Sequence, residues 1–305
     1  MRDNCFDILN ARGASARAAA LSSTSLSGAR ARPALNRNAT MTTPLGGRHP
    51  DPDFATTLAH GLSVLQTFRH GEPALSNREL ADRTGLSKAT ISRLTYTLVQ
   101  RGLLRYDASL RRYRLGTALL SLSYPLLASI KLRQLARPLM TRLANAAGGS
   151  ASLGMHHGTH MVYVETCRGH DAVAFRPDIG AMLPLLPSAM GRAWLAQAEP
   201  GEADALLQTL REQDPVAWQR HAAGWEAARR DYAAHGYCVA EGEWHADVHA
   251  VAVPMRRPVD GQVFVFNCGV PTRRLRAGDL RRRIAPRLLT LVARVEKMLE
   301  ARDGA

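Results

Sequence analysis

The 305-residue sequence contains few cysteines, and no two of them form a Cys-x-x-Cys pair. This scarcity argues against a zinc ribbon or a thioredoxin-type motif, and it suits a reducing cytosol better than a disulfide scaffold. His156, His157 and His160 are close in sequence, but adjacent residues of a strand point to opposite faces, and no cysteine or carboxylate lies beside them at ligand spacing. We therefore predict that the protein holds no metal and no cofactor.

Long apolar runs are also missing. No segment approaches the roughly 20 apolar residues that a membrane helix needs, and the N-terminus lacks the apolar core of a signal peptide. The sequence further lacks a convincing nucleophile elbow, a phosphate-binding glycine loop and paired carboxylates. These absences predict a cytoplasmic protein that has no membrane partner and is not an enzyme.

Acidic residues are in short supply: 26 Asp and Glu face 40 Lys and Arg, which gives a formal net charge of +14 at pH 7. Such an excess suits a polyanionic partner, and nucleic acid is the usual one. Residues 1–52 are rich in Ala, Arg and Ser and poor in large apolar side chains, so we predict a disordered basic tail there. Met41 is an alternative start of the chain.

The patterned part of the chain begins near Asp53, and residues 53–116 are predicted to form a winged helix-turn-helix domain that binds DNA. A helix over 54–68 precedes a second helix that Ser76 and Glu79 start as a capping box and Gly85 ends. A third helix follows Ser87 and runs to about residue 101, and two short strands over 103–106 and 112–115 complete the pattern.

The third helix divides into an apolar and a polar face, as a recognition helix requires. Its core face is predicted to carry Ile91, Leu94, Thr95 and Leu98. Arg93 can form two hydrogen bonds to a guanine edge. A three-helix core that binds another protein is the alternative, but the basic hairpin favours double-stranded DNA. The predicted DNA contacts are Ser76, Asn77, Ser87, Lys88, Thr90, Ser92, Arg93 and Tyr96, with Arg111, Arg112 and Arg114 in the wing.

The segment 117–133 is predicted to be a linker helix, in a helical stretch that Pro125 and Pro138 interrupt. It is more apolar than one helix face requires, so we predict that it forms the contact of a dimer. Residues 134–301 mix strands and helices, which predicts an α/β or α+β domain for effector binding and oligomerisation. The expected strands cover 150–155, 161–166, 172–175, 248–255 and 263–268, and the expected helices cover 188–198, 203–210, 218–235 and 278–301.

Several segments resemble one known family. The stretches LAHGLSVLQTF, LSNRELADRTGLSKATISRLTYTLVQRGLL and RRYRLG resemble the N-terminal domain of IclR-family bacterial transcription regulators. MLPLLPSAMGRAWLA, HGYCVAEGEW and VAVPM resemble its effector domain, so the likeness runs from about Asp53 almost to the C-terminus. It implies an α+β chain with a GAF-like effector domain, dimers or tetramers, and control of a catabolic operon. The opening DPDFATTLAHGLSVLQTF resembles the branch that responds to aromatic acids.

The resemblance also implies an effector pocket. We expect its lining to include Met182, Leu183, Ser188, Ala189, Glu241, His249 and Asn267. The sequence departs from the family pattern: Ala240 takes an acidic position, Ala250 stands where Cys or Ser is common, and Asn267 and Gly269 stand where serines are common. Two functions therefore stay open: a regulator that responds to a small, carboxylate-bearing metabolite, such as an aromatic or small organic acid, and a ligand-independent repressor whose C-terminal domain serves only oligomerisation.

Overall fold

A computed structural model describes residues 53–169 and 177–303. The predicted tail over 1–52 and the predicted strand over 172–175 lie outside these ranges. The N-terminal elements are α1 (Thr56–Gln66), α2 (Asn77–Thr84), α3 (Lys88–Gln100), β1 (Leu104–Asp107) and β2 (Arg112–Leu115). This is the predicted winged helix-turn-helix order. Leu75 adds a bridge to Tyr113 of β2 through two backbone hydrogen bonds of 2.9 and 2.7 Å.

Local sequence signals set the geometry of the helix-turn-helix. Ser76 and Glu79 form the complete capping box at the start of α2. Gly85 ends α2 with φ of 71°, a left-handed conformation that glycine adopts without a Cβ clash. The apolar side chains of Val64, Leu80 and Ile91 then meet in one core, which fixes α3 against α1 and α2.

The connection to the C-terminal part consists of α4 (Ala118–Ser129) and α5 (Lys131–Ala147). The prediction that Pro125 and Pro138 interrupt the helical pattern is wrong, because each proline lies inside its helix. A proline removes one backbone donor, and both positions are exposed to solvent. The chain breaks instead at the buried Ile130, whose ψ of 79° is outside the helical range.

The C-terminal part is built around a sheet. Its strands are β3 (Ser150–His157), β4 (His160–Arg168), β5 (Met182–Pro184), β6 (Cys238–Glu241), β7 (Val248–Pro254) and β8 (Phe264–Pro271). Among the described residues, these six pair antiparallel in the order β5-β4-β3-β8-β7-β6. The strands β5 and β6 were not predicted, because three and four residues are too few to establish an alternating pattern.

Helices cover both faces of this sheet. They are α6 (Ala189–Gln197), α7 (Pro200–Gln213), α8 (Pro215–His235) and α9 (Ala285–Asp303), the last preceded by a π-helical turn over Leu280–Ile284. One core joins α5 and α9 to the sheet through Met140 and Leu288, and a second joins α6 and α8 through Met190 and Trp225. The mixture of a helical N-terminal domain and a C-terminal α/β domain confirms the predicted fold class.

An irregularity in β4 places neighbouring side chains on different faces. Leu153 of β3 pairs with Glu165, whereas Gly154 pairs with Tyr163, so Val164 is an extra residue in β4. Tyr163 packs in the core with α6, while Val164 packs in the core with α5 and α9. In a regular strand Tyr163 and Glu165 would share a face, but the bulge sends Glu165 toward α5.

Candidate nucleic-acid interface and ligand cavity

The polar face of α3 is open to solvent along its length. Ile91, Thr95 and Leu98 are buried in the core, as the sequence predicted, and Leu94 packs partly buried beside them. The other side of the helix exposes Lys88, Ser92, Arg93 and Tyr96, which we name the recognition face. Ser87 caps the helix by accepting a hydrogen bond of 3.1 Å from the Thr90 N–H. This separation of faces leaves the first half of α3 free to enter a groove of DNA.

Ser76 and Asn77, both predicted to contact DNA, make hydrogen bonds within the domain: Ser76 caps α2, and Asn77 joins α2 to α3. The Ser76 hydroxyl donates to the Glu79 carboxylate at 2.6 Å, and the Ser76 N–H donates to it at 2.8 Å. These bonds, with help from Arg112, lower the pKa of Glu79 to about 2. Asn77 Nδ2 donates to the Ser92 hydroxyl at 3.2 Å, which ties α2 to the recognition face.

The three wing arginines that were predicted to contact DNA have different surroundings. Arg112 donates to the Ala74 carbonyl at 2.9 Å and pairs with Glu79 at 3.0 Å, so it fastens the hairpin to α2. Arg114 pairs with Asp107 across the hairpin at 3.4 Å. Arg111 lies exposed in the turn with φ of 51°, and no ion-pair partner for it exists within the described part of the chain. Of these three arginines, Arg111 is therefore the one most available to a phosphate.

A cavity opens in the C-terminal part between the sheet, the start of α6 and the loop from β6 to β7. It encloses about 570 Å³ of space not filled by protein atoms, including the part open to solvent. Its described lining consists of Ser150, Tyr163, Pro177, Leu183, Pro187, Ser188, Ala189, Ala240, Glu243, Trp244, His245, Val248, Ala250, Asn267 and Gly269. Four predicted pocket residues are among them: Leu183, Ser188, Ala189 and Asn267.

Three predicted pocket residues lie off this lining: Met182, Glu241 and His249. Each is next to a lining residue on its strand, and side chains alternate between faces along a strand. Leu183, Ala240 and Ala250 take the cavity side, so their neighbours point away from it. Met182, for example, is 38% exposed whereas Leu183 is buried.

Two polar side chains of the cavity wall differ in what they offer a ligand. The Ser188 hydroxyl is committed, since it donates to the Pro184 carbonyl at 2.7 Å and accepts from the Gly191 N–H at 3.1 Å. Asn267 is 5% exposed and its Nδ2 donates to the Tyr163 hydroxyl at 3.0 Å, but its buried Oδ1 has no hydrogen-bond partner. A buried carbonyl oxygen left in this state favours a ligand that donates a hydrogen bond to it.

Tyr163 gives this wall a neutral hydroxyl. Burial raises the pKa of Tyr163 to about 12, although hydrogen bonds with Asn267 and Ser152 act in the opposite direction. The phenol therefore stays protonated throughout the physiological range.

The loop between β6 and β7 supplies lining residues that the sequence analysis missed, Glu243 among them. Arg192 of α6, with 1% of its surface exposed, donates to the carbonyls of Leu186 at 2.6 Å and Val239 at 3.3 Å and to Glu243 Oε1 at 2.6 Å. His221 Nδ1 lies 3.6 Å from the same carboxylate. The arginine inside the apolar stretch MGRAWLA was the available signal, because a buried cation needs an anionic partner.

Electrostatics fix Glu243 in its ionised form. Burial acts to raise the pKa of Glu243, but hydrogen bonds from His221 and Arg192 outweigh it and lower that pKa to about 2. Gly224 of α8 makes room for the pair, since a methyl group at this position would collide with Arg192 and Glu243. The pair therefore joins α6 to the loop that walls the cavity and neutralises the charge of Glu243.

The histidines that invited a metal interpretation have structural contacts instead. His156 stacks on Trp194 with ring centroids 3.7 Å apart, and His160 Nδ1 lies 3.0 Å from the Thr159 hydroxyl. Burial lowers the pKa of both imidazoles. Over residues 53–169 and 177–303, no group of three His, Cys, Asp or Glu side chains is arranged to hold a metal ion. No helix in these ranges has the length and apolar character to cross a membrane.

Two family models match most of the chain. The model of the IclR helix-turn-helix domain matches residues 57–108, and that of the bacterial transcriptional regulator IclR C-terminal domain matches residues 125–295. The HTH-type transcriptional regulator TsaQ1/TsaQ2 of Comamonas testosteroni is 30% identical over 247 residues, which cover 80% of this chain and 88% of that protein.

Solved structures show the same likeness. A crystal structure of an IclR family transcriptional regulator from Brucella abortus is 40% identical with a TM-score of 0.75, covering 85% of this chain and 98% of that one. An IclR homolog from Microbacterium hydrocarbonoxydans, complexed with 4-hydroxybenzoate, has a TM-score of 0.60 over 78% of this chain and 95% of its own. Its identity is 22%, so this second likeness concerns the fold alone.

Proposed function

The chain belongs to the IclR family of bacterial transcriptional regulators, and we propose that it binds an operator as a dimer or tetramer and responds to a small molecule held in the cavity. That it is a DNA-binding regulator, and not an enzyme, follows from the family and confirms the sequence prediction. In this proposal residues 53–116 bind DNA, 117–133 form the linker and 134–301 form the effector domain.

The recognition face carries the proposal for DNA. It presents Arg93 and Ser92 from the first half of α3, where base contacts are normally made, and Lys88 at the helix start. Arg93 forms a bidentate contact with a guanine, while Ser87, Lys88 and Arg111 bind phosphates. Arg112 and Arg114 support DNA binding mainly by stabilising the hairpin, through their ion pairs with Glu79 and Asp107.

The exposed apolar residues around α4 support self-association, since none of its described residues is buried. Leu120 is 73% exposed, Leu122 and Tyr124 are 69% exposed, and Leu126 is 55% exposed. Apolar patches of this kind mark interaction surfaces. A second copy is the fitting occupant, because a helix-turn-helix protein reads two half-sites as a two-fold dimer.

The unpaired Asn267 Oδ1 in the cavity is the observation that favours an effector. This oxygen can accept a hydrogen bond from a donor group of a ligand. The start of α6 at Ala189 offers backbone N–H groups to an anion. The remaining wall is largely apolar, and among the described lining residues none is Lys or Arg. A small aromatic acid with a hydroxyl group, such as 4-hydroxybenzoate, combines these features and is the first probe to use.

Ligand binding is tested by thermal shift with 4-hydroxybenzoate and related acids. Ala250→Leu fills the cavity, and His249→Leu introduces the same side chain on the other face of β7. We expect the probe to stabilise the wild type and His249→Leu by about 2.7 kcal/mol when the ligand is at 100 times its Kd. Ala250→Leu should show no stabilisation by the probe.

A ligand-independent repressor is the second candidate, favoured by the apolar Ala240 and Ala250 in the cavity wall. It predicts no thermal shift with any acid and the same operator affinity for both variants. Selection of bound DNA from genomic fragments, with and without the probe, decides between the two candidates. An operator released by the probe supports the sensor, and an operator that is bound equally in both conditions supports the repressor.

A further inference from the structure

The hinge between α4 and α5 is held by an arginine from the second helix. Arg133 Nη1 donates to the Leu127 carbonyl at 2.8 Å. Leu127 lies in the last turn of α4, where carbonyls have lost their helical N–H partners because the helix ends at Ser129. A cation at this end also meets the negative pole of the helix dipole. Arg133 therefore holds the last turn of α4 to the first turn of α5.

The same guanidinium is joined to the sheet. Arg133 Nη2 lies 3.5 Å from Oε2 of Glu165, which is 2% exposed in β4. Arg137 Nη1 donates to both oxygens of this carboxylate at 3.0 Å, and the Thr166 N–H donates to Oε1 at 3.0 Å. Glu165 is thus held firmly by α5 and by its own strand, and Arg133 extends this anchor to α4.

The bulge in β4 connects this anchor to the cavity. Tyr163 lines the cavity and accepts a hydrogen bond from Asn267, and Glu165 lies just beyond the extra residue Val164. A bulge is the place where strand pairing is interrupted, so it accommodates a local shift more easily than paired residues do. Tyr163 and Glu165 are therefore joined directly across the bulge, and their side chains lie on opposite faces of the sheet.

We propose that Arg133 is a positioning residue that couples the cavity wall to the linker helix, through Tyr163, the bulge and Glu165 on one side and the Leu127 carbonyl on the other. This inference depends on the proposed role of the cavity as the effector site. It gives the ligand a contiguous route of contacts to α4, the helix that directly follows the DNA-binding domain.

The test measures amide hydrogen exchange of residues 118–129 in the full-length protein without any ligand. Tyr163→Phe perturbs the cavity wall in three backgrounds: wild type, Arg133→Gln and Arg137→Gln. Arg137 is the matched control, because it also binds Glu165 but has no hydrogen bond to α4 among the described contacts. Arg133→Lys is a milder variant whose single ammonium group keeps the charge but cannot serve both acceptors as the guanidinium does.

We expect Tyr163→Phe to accelerate exchange in α4 about fivefold in the wild type and in Arg137→Gln, the change that loss of one net hydrogen bond produces. In Arg133→Gln and Arg133→Lys we expect the amides of α4 to exchange faster than in the wild type already, and Tyr163→Phe to cause no further acceleration. Equal effects of Tyr163→Phe in all backgrounds, or no effect in the wild type, would overturn the coupling.

Failure of the effector proposal has a separate signature. If the cavity binds no ligand, 4-hydroxybenzoate produces no thermal shift while the exchange cycle still shows coupling. If the cavity binds the probe but Arg133 does not couple it to α4, the thermal shift is present and the exchange cycle shows no dependence on Arg133. The two proposals are therefore tested independently.

Discussion

Replacing Glu243 with Gln should destabilise the C-terminal domain, because it leaves Arg192 charged and almost fully buried. Removing one partner of a buried ion pair costs about 3–5 kcal/mol. Here Glu243 is 30% exposed, and Arg192 keeps its hydrogen bonds to Leu186 and Val239. We therefore expect a smaller loss, about 2–3 kcal/mol of unfolding free energy.

Thermal and urea unfolding measure this loss. For a folding unit of 150–250 residues each kcal/mol lowers Tm by about 2–4 °C, so we expect Tm to fall by about 4–12 °C. The matched control is Glu226→Gln, which breaks the exposed pair with Arg229, whose side chains are 49% and 63% exposed. That pair is worth about 0–1 kcal/mol. Equal losses in the two variants would refute the role assigned to the buried pair.

The pH dependence of this difference gives a second check. The pKa of Glu243 falls from 4.5 to about 2 on folding, so its stabilising contribution is fully present above about pH 4.5. The contribution is lost as pH falls from 4.5 toward 2, where the carboxyl group becomes protonated in the folded protein as well. The difference in stability between wild type and Glu243→Gln should therefore shrink over this window. A difference that stays constant down to pH 2 would contradict the ion-pair account.

Two further changes test the N-terminal part. Ser76→Ala removes the hydroxyl group that takes part in the capping box of α2, so it should lower the unfolding free energy by about 1 kcal/mol in urea titrations. The control is Ser123→Ala at an exposed position, which should stay within about 0.5 kcal/mol of wild type. Leu122→Asp puts a charge into the proposed apolar contact, so it should shift the protein toward monomers in sedimentation experiments. The control Ser121→Asp, on the same helix, should cause a smaller shift. An unchanged mass for Leu122→Asp would exclude α4 as the contact of the dimer.

The helix-turn-helix could be predicted from the sequence because its signals are local. The capping residue Ser76, its partner Glu79 and the left-handed Gly85 act over a few positions, and the core spacing of α3 follows directly from the helical period. The interruption predicted at Pro125 was wrong although it also rested on a local signal. A local rule says that proline interrupts a helix, but α4 continues through it at a solvent-exposed position.

The cavity could be predicted only in part because its walls come from distant segments. Arg192 and Glu243 are 51 positions apart, and the sequence does not state which acidic residue a buried arginine will meet. The register of β7 decided between His249 and Ala250, since a shift by one residue exchanges the two faces of a strand. Likewise, nothing local predicted the bulge at Val164, which separates Tyr163 from Glu165.

Operator discrimination by the recognition face tests the central claim most directly. The wild type and Arg93→Ala are titrated with the selected operator and with a scrambled sequence at the same salt concentration, and Gln100→Ala, at the far end of α3, serves as the control. We expect Arg93→Ala to lose about 1–3 kcal/mol of discrimination between the two DNAs, while Gln100→Ala keeps it. Unchanged discrimination in Arg93→Ala would contradict the assignment of this face of α3 as the reader of the operator.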